Sequence, residues 1–255
     1  MGKRIGDFKV LKNSRLNQDH FILELLSPDS IEDIMPGQFA EIRIDKNKET
    51  FLRRPFSFHN VDFRRNKVEF LIQIAGKGTH MLSQIAPGEY LNLIYPLGNS
   101  FTMPEKGEKV ILVGGGCGVA PLLFLSQKLY FNGVTQDIIL GYRTRERIIE
   151  YTKFLEFGKV YVATEDGSEG FKGFVSNHPL IVDGKYDRIY CCGPEPMMKK
   201  IALIAKSKNT FCEVSLENLM ACGMGVCLCC AVKTIKGNLL TCTDGPVFNI
   251  NDLEW

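Results

Sequence analysis

The sequence has no apolar run long enough to span a bilayer, and its opening residues, MGKRIGDFKV, lack the apolar core of a signal peptide. Charge of one sign is also scarce. The net charge is +2 with no long basic run, which argues against nucleic acid as a partner. No internal repeat, low-complexity tract or long linker interrupts the 255 residues. The nine cysteines are odd in number and clustered, unlike the framework of a secreted disulfide-rich chain. Together these absences predict a cytoplasmic, reduced protein without a membrane segment. At 45% hydrophobic and 24% charged residues, it has core enough for two or three small domains.

The cysteines concentrate near the C-terminus. Cys222, Cys227, Cys230 and Cys242 are spaced C-x4-C-x2-C-x11-C. That is the order and spacing of thiolates around a plant-type [2Fe-2S] cluster. Gly223 and Gly225 suit a tight loop that aims backbone N–H groups at sulfur. A structural zinc centre also takes four cysteines, although zinc sites more often use two CxxC pairs, and four ordinary thiols are a further alternative. The gap before Cys242 predicts a hairpin turning at 236–238.

Residues 1–103 alternate short β-type runs with turn signals. Runs at 21–26, 38–44, 68–74 and 90–94 read as strands, punctuated by Pro-Gly or Pro-Leu-Gly at 35–37, 86–88 and 95–98. Short strands without helices predict a small antiparallel barrel. Two stretches in it carry chemistry. Arg53-Arg54-Pro55-Phe56-Ser57 offers an arginine for a phosphate and a hydroxyl three residues on, within reach of a planar ring. The bland reading is a surface arginine pair on a proline-bent edge strand. Gly76-Lys77-Gly78-Thr79 opens a short helix and can cradle a phosphate, or be a plain turn. Leu71, Ile72 and Gln73 would run their backbone past the same ligand.

Residues 104–215 change pattern. A buried strand at 109–113 runs into Gly114-Gly-Gly116-Cys-Gly118-Val-Ala-Pro121 and then a helix at 122–130. Strand, glycine loop and helix is the dinucleotide-binding arrangement, here GxGxxP, with Pro121 in the first helical turn. Strands at 137–141, 159–163, 187–191 and 210–214, with a helix at 196–205, predict a parallel sheet covered on both faces. Ligands then bind beyond the strand C-termini, where Gly141, Glu165, Asp166, Cys192 and Gly193 fall. Glu165 and Asp166 favour NAD over NADP. Like unit charges about 4 Å apart repel by roughly 4 kcal/mol at an effective dielectric near 20. Arg143 and Arg145 nearby can also meet a phosphate. Cys117, Cys191, Cys212 and Cys229 read as structural.

The Arg54-Pro-Phe-Ser57 and Gly-Lys-Gly78-Thr79 pair resembles the flavin domain of the ferredoxin–NADP reductase superfamily, and Cys192-Gly193-Pro-Glu-Pro-Met resembles the nicotinamide-side signature of the same family. The resemblance implies that Arg54 holds an FAD pyrophosphate, with Gly78 and Thr79 as a second phosphate-contacting segment. It also implies that Ser57 lies at the reactive edge of the isoalloxazine and Cys192 near the transferred hydride. Residues 216–255 narrow the resemblance. Ser215-Leu-Glu-Asn-Leu-Met-Ala-Cys222-Gly-Met-Gly-Val-Cys227-Leu-Cys-Cys230 and Cys242-Thr-Asp-Gly-Pro-Val-Phe248 are similar to the electron-transfer subunits of NAD-dependent dihydroorotate dehydrogenases of type B. This implies three parts: a flavin barrel (1–103), a nicotinamide-binding α/β domain (104–215) and a small [2Fe-2S] domain (216–255) with Cys222, Cys227, Cys230 and Cys242 as ligands. It also implies a relay to NAD from an FMN-containing catalytic subunit, in a heterotetramer with two of each, serving pyrimidine (UMP) biosynthesis. No general acid or base is expected on this chain. The small flavin and iron–sulfur subunits of sulfide dehydrogenases and NADH–ferredoxin–NADP oxidoreductases are the alternative. Some of those carry aspartate in place of one cluster cysteine, whereas all four are cysteine here. A zinc-stabilised nucleotide-binding module is a third reading, and it predicts a colourless protein.

Overall fold

The computed structural model describes residues 2–44 and 50–255. The N-terminal part is one antiparallel sheet of β1 (Arg4–Arg15), β2 (His20–Leu26), β3 (Phe39–Ile42), β4 (Arg54–Ser57), β5 (Asn60–Asp62), β6 (Lys67–Gln73) and β7 (Tyr90–Leu97), with α1 (Lys77–Leu82) between β6 and β7. The spatial order is β4-β3-β7-β1-β2-β6-β5. The sheet curls into a half-barrel. After β4 the Phe58 N–H still donates to Gln38 O beside β3, while the His59 N–H donates to Glu69 O in β6. Phe8, Phe21, Leu23, Phe58 and Phe70 fill the interior with no exposed surface. Strand β1 was not among the expected strands. Along it only Phe8 and Val10 are buried, and Ile5 is exposed, so its apolar alternation is too thin to register.

The second sheet is built from β8 (Val110–Gly115), β9 (Gln136–Tyr142), β10 (Lys159–Thr164), β11 (Phe171–Lys172), β12 (Arg188–Cys192) and β13 (Phe211–Ser215), which are parallel, with α2 (Val119–Phe131), α3 (Tyr151–Phe154), α4 (Pro179–Val182) and α5 (Glu195–Ser207) between them. The order β11-β10-β9-β8-β12-β13 reverses direction between β8 and β12. The crevice outside that reversal is where α/β sheets bind ligands. Helix α2 is buried along most of its length because it is covered twice, by the sheet and by the barrel, whose core takes in Phe124.

The remaining chain forms a hairpin of β14 (Ala231–Thr234) and β15 (Gly237–Leu240) and a last strand, β16 (Val247–Asn249). Thr234 faces Gly237, so the turn is Ile235-Lys236, one residue earlier than expected, with Gly237 itself at φ +96°. Strand β16 pairs antiparallel with β13, so the C-terminal segment leaves the second sheet at Ser215, forms the cysteine loop and rejoins the same sheet at its edge.

A buried polar link ties the two sheets. His59 Nε2 meets Glu150 Oε2 at 2.8 Å and Nδ1 meets Ala120 O at 3.0 Å. Both ring nitrogens thus face oxygen atoms contributed by the second sheet's layer. Lys153 extends the link, to Glu150 at 3.0 Å and back to Glu69 of β6 at 3.4 Å. Burial alone would raise the Glu150 carboxyl, but the hydrogen bond and charge of His59, with Lys153, hold it below the ordinary value.

Candidate functional site

Strand β4 is the Arg-Pro-Phe-Ser stretch. It pairs with β3 so that Ser57 faces Phe39, Phe56 faces Ala40, Pro55 faces Glu41 and Arg54 faces Ile42. The Arg54 guanidinium is tied to Leu52 O at 2.8 Å and Arg53 O at 3.1 Å, which fixes its direction. Gly78 of α1 packs on it. A Cβ there would lie 2.9 Å from Ile44 Cδ1 and 3.5 Å from Arg54 Nε. The structure thus brings Arg54 and the glycine segment together. The Thr79 hydroxyl is occupied within its own loop, accepting from Ala75 N and Gly76 N at 2.9 and 3.1 Å. At the end of β6, Leu71 and Ile72 are buried and Gln73 is exposed.

The glycine loop lies across the crevice from that strand end. Gly116 has φ +54°, in the region that favours glycine. A Cβ at Gly118 would sit 2.5 Å from Gly193 Cα and N, and one at Gly115 2.6 Å from the Met197 sulfur. Only bare backbone lets the Gly114–Gly118 loop rest on the Cys192-Gly193 segment. Cys117, read from sequence as structural, reaches out of this loop, and its thiol donates to Leu71 O at 3.8 Å, joining the glycine loop to β6. Burial pushes the Cys117 thiol up to about 12 and raises Cys192 strongly. Glu217, two residues past β13, is an electrostatic neighbour of both thiols. It is open to solvent yet surrounded by protein, and its carboxyl is raised by that burial. Its place in the crevice was not read from the sequence, although it stands inside the Ser-Leu-Glu motif.

Glu165 and Asp166 follow β10 directly and are exposed, away from the Cys192 end of the crevice. Asp166 accepts from the Ser168 hydroxyl and N–H, which hold its carboxyl below the ordinary value. The Arg145 guanidinium sits 3.7 Å from Glu169.

The four cysteines form two pairs. Cys222 neighbours Cys227 and Cys230 neighbours Cys242, and Cys222 is close to Cys242 as well. Among the described residues no group of three metal-ligating side chains converges on one point. Four cysteines gathered in one loop region suit an iron–sulfur centre, which takes two thiolates per iron. Burial opposes ionisation of Cys222, but N–H groups of Met224, Cys227 and Val226 and the Cys227 thiol outweigh it and lower the thiol to about 6. The Met224 N–H donates to Cys222 Sγ at 3.4 Å. Burial and the neighbouring Cys230 push Cys242 up to about 12. Cys230 and Cys242 are buried against Phe39 and Leu97, whereas Cys229 is exposed and outside both pairs. Gly223, at φ +64°, presses on β3, and a Cβ there would lie 2.7 Å from Glu41 Cγ.

An antiparallel flavin-type half-barrel, a doubly wound nucleotide sheet and a cysteine loop lodged against both define a ferredoxin-reductase-like redox protein. Residues 7–101 match the family model of the oxidoreductase FAD-binding domain, and 217–254 match that of the iron–sulfur cluster binding domain of dihydroorotate dehydrogenase B. The chain is 37% identical over 262 aligned residues to the dihydroorotate dehydrogenase B (NAD(+)) electron transfer subunit of Desulforamulus reducens, covering 99% of each. It is 40% identical over 244 residues to that of Caldanaerobacter subterraneus subsp. tengcongensis, covering 94% of each. Among solved structures it resembles an NADH-dependent reduced ferredoxin–NADP oxidoreductase, with TM-score 0.88, 30% identity, and 97% and 90% of the two chains covered. A ferredoxin reductase of carbazole 1,9a-dioxygenase shares the fold at TM-score 0.71 and 21% identity, with 82% and 67% covered. The chain belongs to the family of dihydroorotate dehydrogenase B electron transfer subunits. It is an oxidoreductase subunit with FAD-binding and iron–sulfur-binding domains. None of its described helices is long and apolar enough to cross a membrane.

Proposed function

We propose that this chain relays electrons to NAD from the FMN-containing catalytic subunit of a dihydroorotate dehydrogenase, in a cytoplasmic heterotetramer with two copies of each subunit, and so serves pyrimidine (UMP) biosynthesis. The observation that carries the relay is β3. One strand pairs with the flavin-side strand β4 and packs Phe39 against Cys230 and Cys242. Bound flavin supplies the exchange between one-electron chemistry at iron and two-electron chemistry at nicotinamide.

In this reading the three domains are 1–103, 104–215 and 216–255. Arg54 and Gly78 hold the FAD pyrophosphate, with Thr79 shaping their loop. Pro55, Phe56 and Ser57, with the backbone of Leu71, Ile72 and Gln73, border the ring. Gly114, Gly116 and Gly118 seat the nicotinamide cofactor, Cys192 and Gly193 line its reactive end, and Glu165 and Asp166 disfavour a 2′-phosphate. Cys222, Cys227, Cys230 and Cys242 bind the [2Fe-2S] cluster. The chain contributes position and water exclusion, and dihydroorotate chemistry belongs to the partner.

The partner docks on the rim of the cysteine loop. Leu219 is 85% exposed, Val226 79%, Leu228 65% and Met224 44%, with Cys227 exposed among them. An apolar rim around a ligand thiol is suited to bringing a second redox group close. Val226→Asp tests this. It is expected to abolish dihydroorotate-dependent NAD reduction by the complex while leaving NADH–ferricyanide reductase activity of the chain intact. Loss of neither would contradict the docking face.

A further inference from the structure

Glu41 lies in the middle of β3 with no exposed surface, and both of its carboxyl oxygens are buried without a hydrogen-bond partner. Its neighbours on β3 explain the direction of its side chain. Ala40 and Ile42 point into the barrel core, so Phe39 and Glu41 point the other way, where Phe39 covers Cys230 and Cys242. Glu41 covers the other half of the loop. A Cβ at Gly223 would lie 3.1 Å from its Oε1. Burial raises the carboxyl above its ordinary value and outweighs the two guanidinium groups among its charged neighbours, which are Arg53, then Cys222 and Arg54. On the flavin side, the Arg53 guanidinium donates to the Glu41 backbone carbonyl at 3.2 Å.

A buried carboxyl group without a partner is strongly disfavoured. None of the ion pairs of the described residues holds its oxygens. The part of the loop it faces is Cys222-Gly223, which becomes part of an acceptor-rich, negatively charged surface once thiolates ligate iron. A neutral carboxylic acid suits that place, because its O–H is the donor such a surface lacks. Hydrogen bonds to cluster sulfurs are among the levers that set the potential of an iron–sulfur centre.

We propose that Glu41 is a positioning residue for the iron–sulfur centre: its carboxyl group donates a hydrogen bond to the sulfur side of the Cys222-Gly223 segment, holding the loop against β3 and raising the cluster potential. This rests on the cluster assignment made above, but not on the identity of the partner subunit.

The test uses the full chain, purified anaerobically with its cofactors, and reads the cluster potential by EPR-monitored redox titration, alongside iron and flavin content. Glu41→Gln keeps a donor of the same shape and is expected to keep the parent potential and EPR spectrum. Glu41→Leu removes the donor and is expected to shift the potential to more negative values and alter the EPR spectrum, with flavin content unchanged. Should the leucine variant not retain iron, Glu41→Met carries the same comparison with a more adaptable apolar side chain. A parent-like potential in the apolar variant, or an equal shift in the glutamine variant, overturns the role of Glu41. A parent chain that binds no iron overturns the cluster assignment and the inference with it.

Discussion

Ser57 and Phe39 face each other across the β3–β4 ladder, and Phe39 in turn lies on the Cys230–Cys242 pair. The Ser57 hydroxyl and the cysteine loop are therefore separated by a single strand. If that strand is the route between the two groups, the four paired cysteines are not equivalent to the fifth in the loop. Cys222→Ser, Cys227→Ser, Cys230→Ser and Cys242→Ser are each expected to lose the visible and EPR signals of the cluster while keeping flavin. Cys229→Ser, altering an exposed thiol outside both pairs, is expected to retain them. Flavin absorbance and iron content check this directly.

The Gly118 contact makes the crevice sensitive to one methyl group. Gly118→Ala places a Cβ 2.5 Å from the Gly193 backbone, and neither side is a flexible side-chain end. Overpacking of this kind costs about 1–3 kcal/mol. The variant is expected to melt earlier and to lose NADH oxidation by tenfold or more.

Cofactor choice is predicted to reside in the two exposed carboxylates after β10. Replacing Glu165 with Ser and Asp166 with Arg removes two charges unfavourable to a 2′-phosphate and adds one favourable charge. Even a quarter of the roughly 4 kcal/mol repulsion of a close pair moves the NADP-to-NAD preference by about fivefold. Steady-state kcat/KM with both nucleotides reads the change.

The His59–Glu150 link predicts the acid limb of stability. The Glu150 carboxyl is depressed in the folded protein. Its contribution is therefore fully present above the unfolded glutamate value of about 4.3 and lost as pH falls through the lower folded value. Thermal melting of the parent is expected to fall below that pH more steeply than that of Glu150→Gln. At neutral pH, His59→Leu removes the nearest partner of Glu150 and leaves Lys153 at 3.0 Å, and is expected to cost about 1–3 kcal/mol.

Much of this architecture could be read from residues alone, for identifiable reasons. Strands β8 and β12 are buried on both faces and read as short apolar runs, and the loops at their ends announce themselves by glycine and proline. Strand β1 escaped because one face of it is solvated and carries lysine and asparagine. Glu41 escaped for a different reason. A glutamate between Ala40 and Ile42 reads as the wet side of a half-buried strand, and only the return of the chain at Gly223, far away in sequence, covers it. Cys117 reads as structural, and its contact, Leu71 O, belongs to the other sheet. The neighbours of both residues lie in another part of the fold, which local patterns do not encode.

The central claim is that this chain passes electrons from dihydroorotate oxidation to NAD through a partner subunit. The most direct measurement is anaerobic affinity purification of the chain from its native extract, with the partner identified by mass and the eluate assayed for dihydroorotate-dependent NAD reduction. An FMN-containing dihydroorotate dehydrogenase subunit, with that activity in the eluate, is the predicted result. A different flavoprotein as the stoichiometric partner, with no dihydroorotate-dependent reduction of NAD, would contradict the account while leaving its cofactors in place.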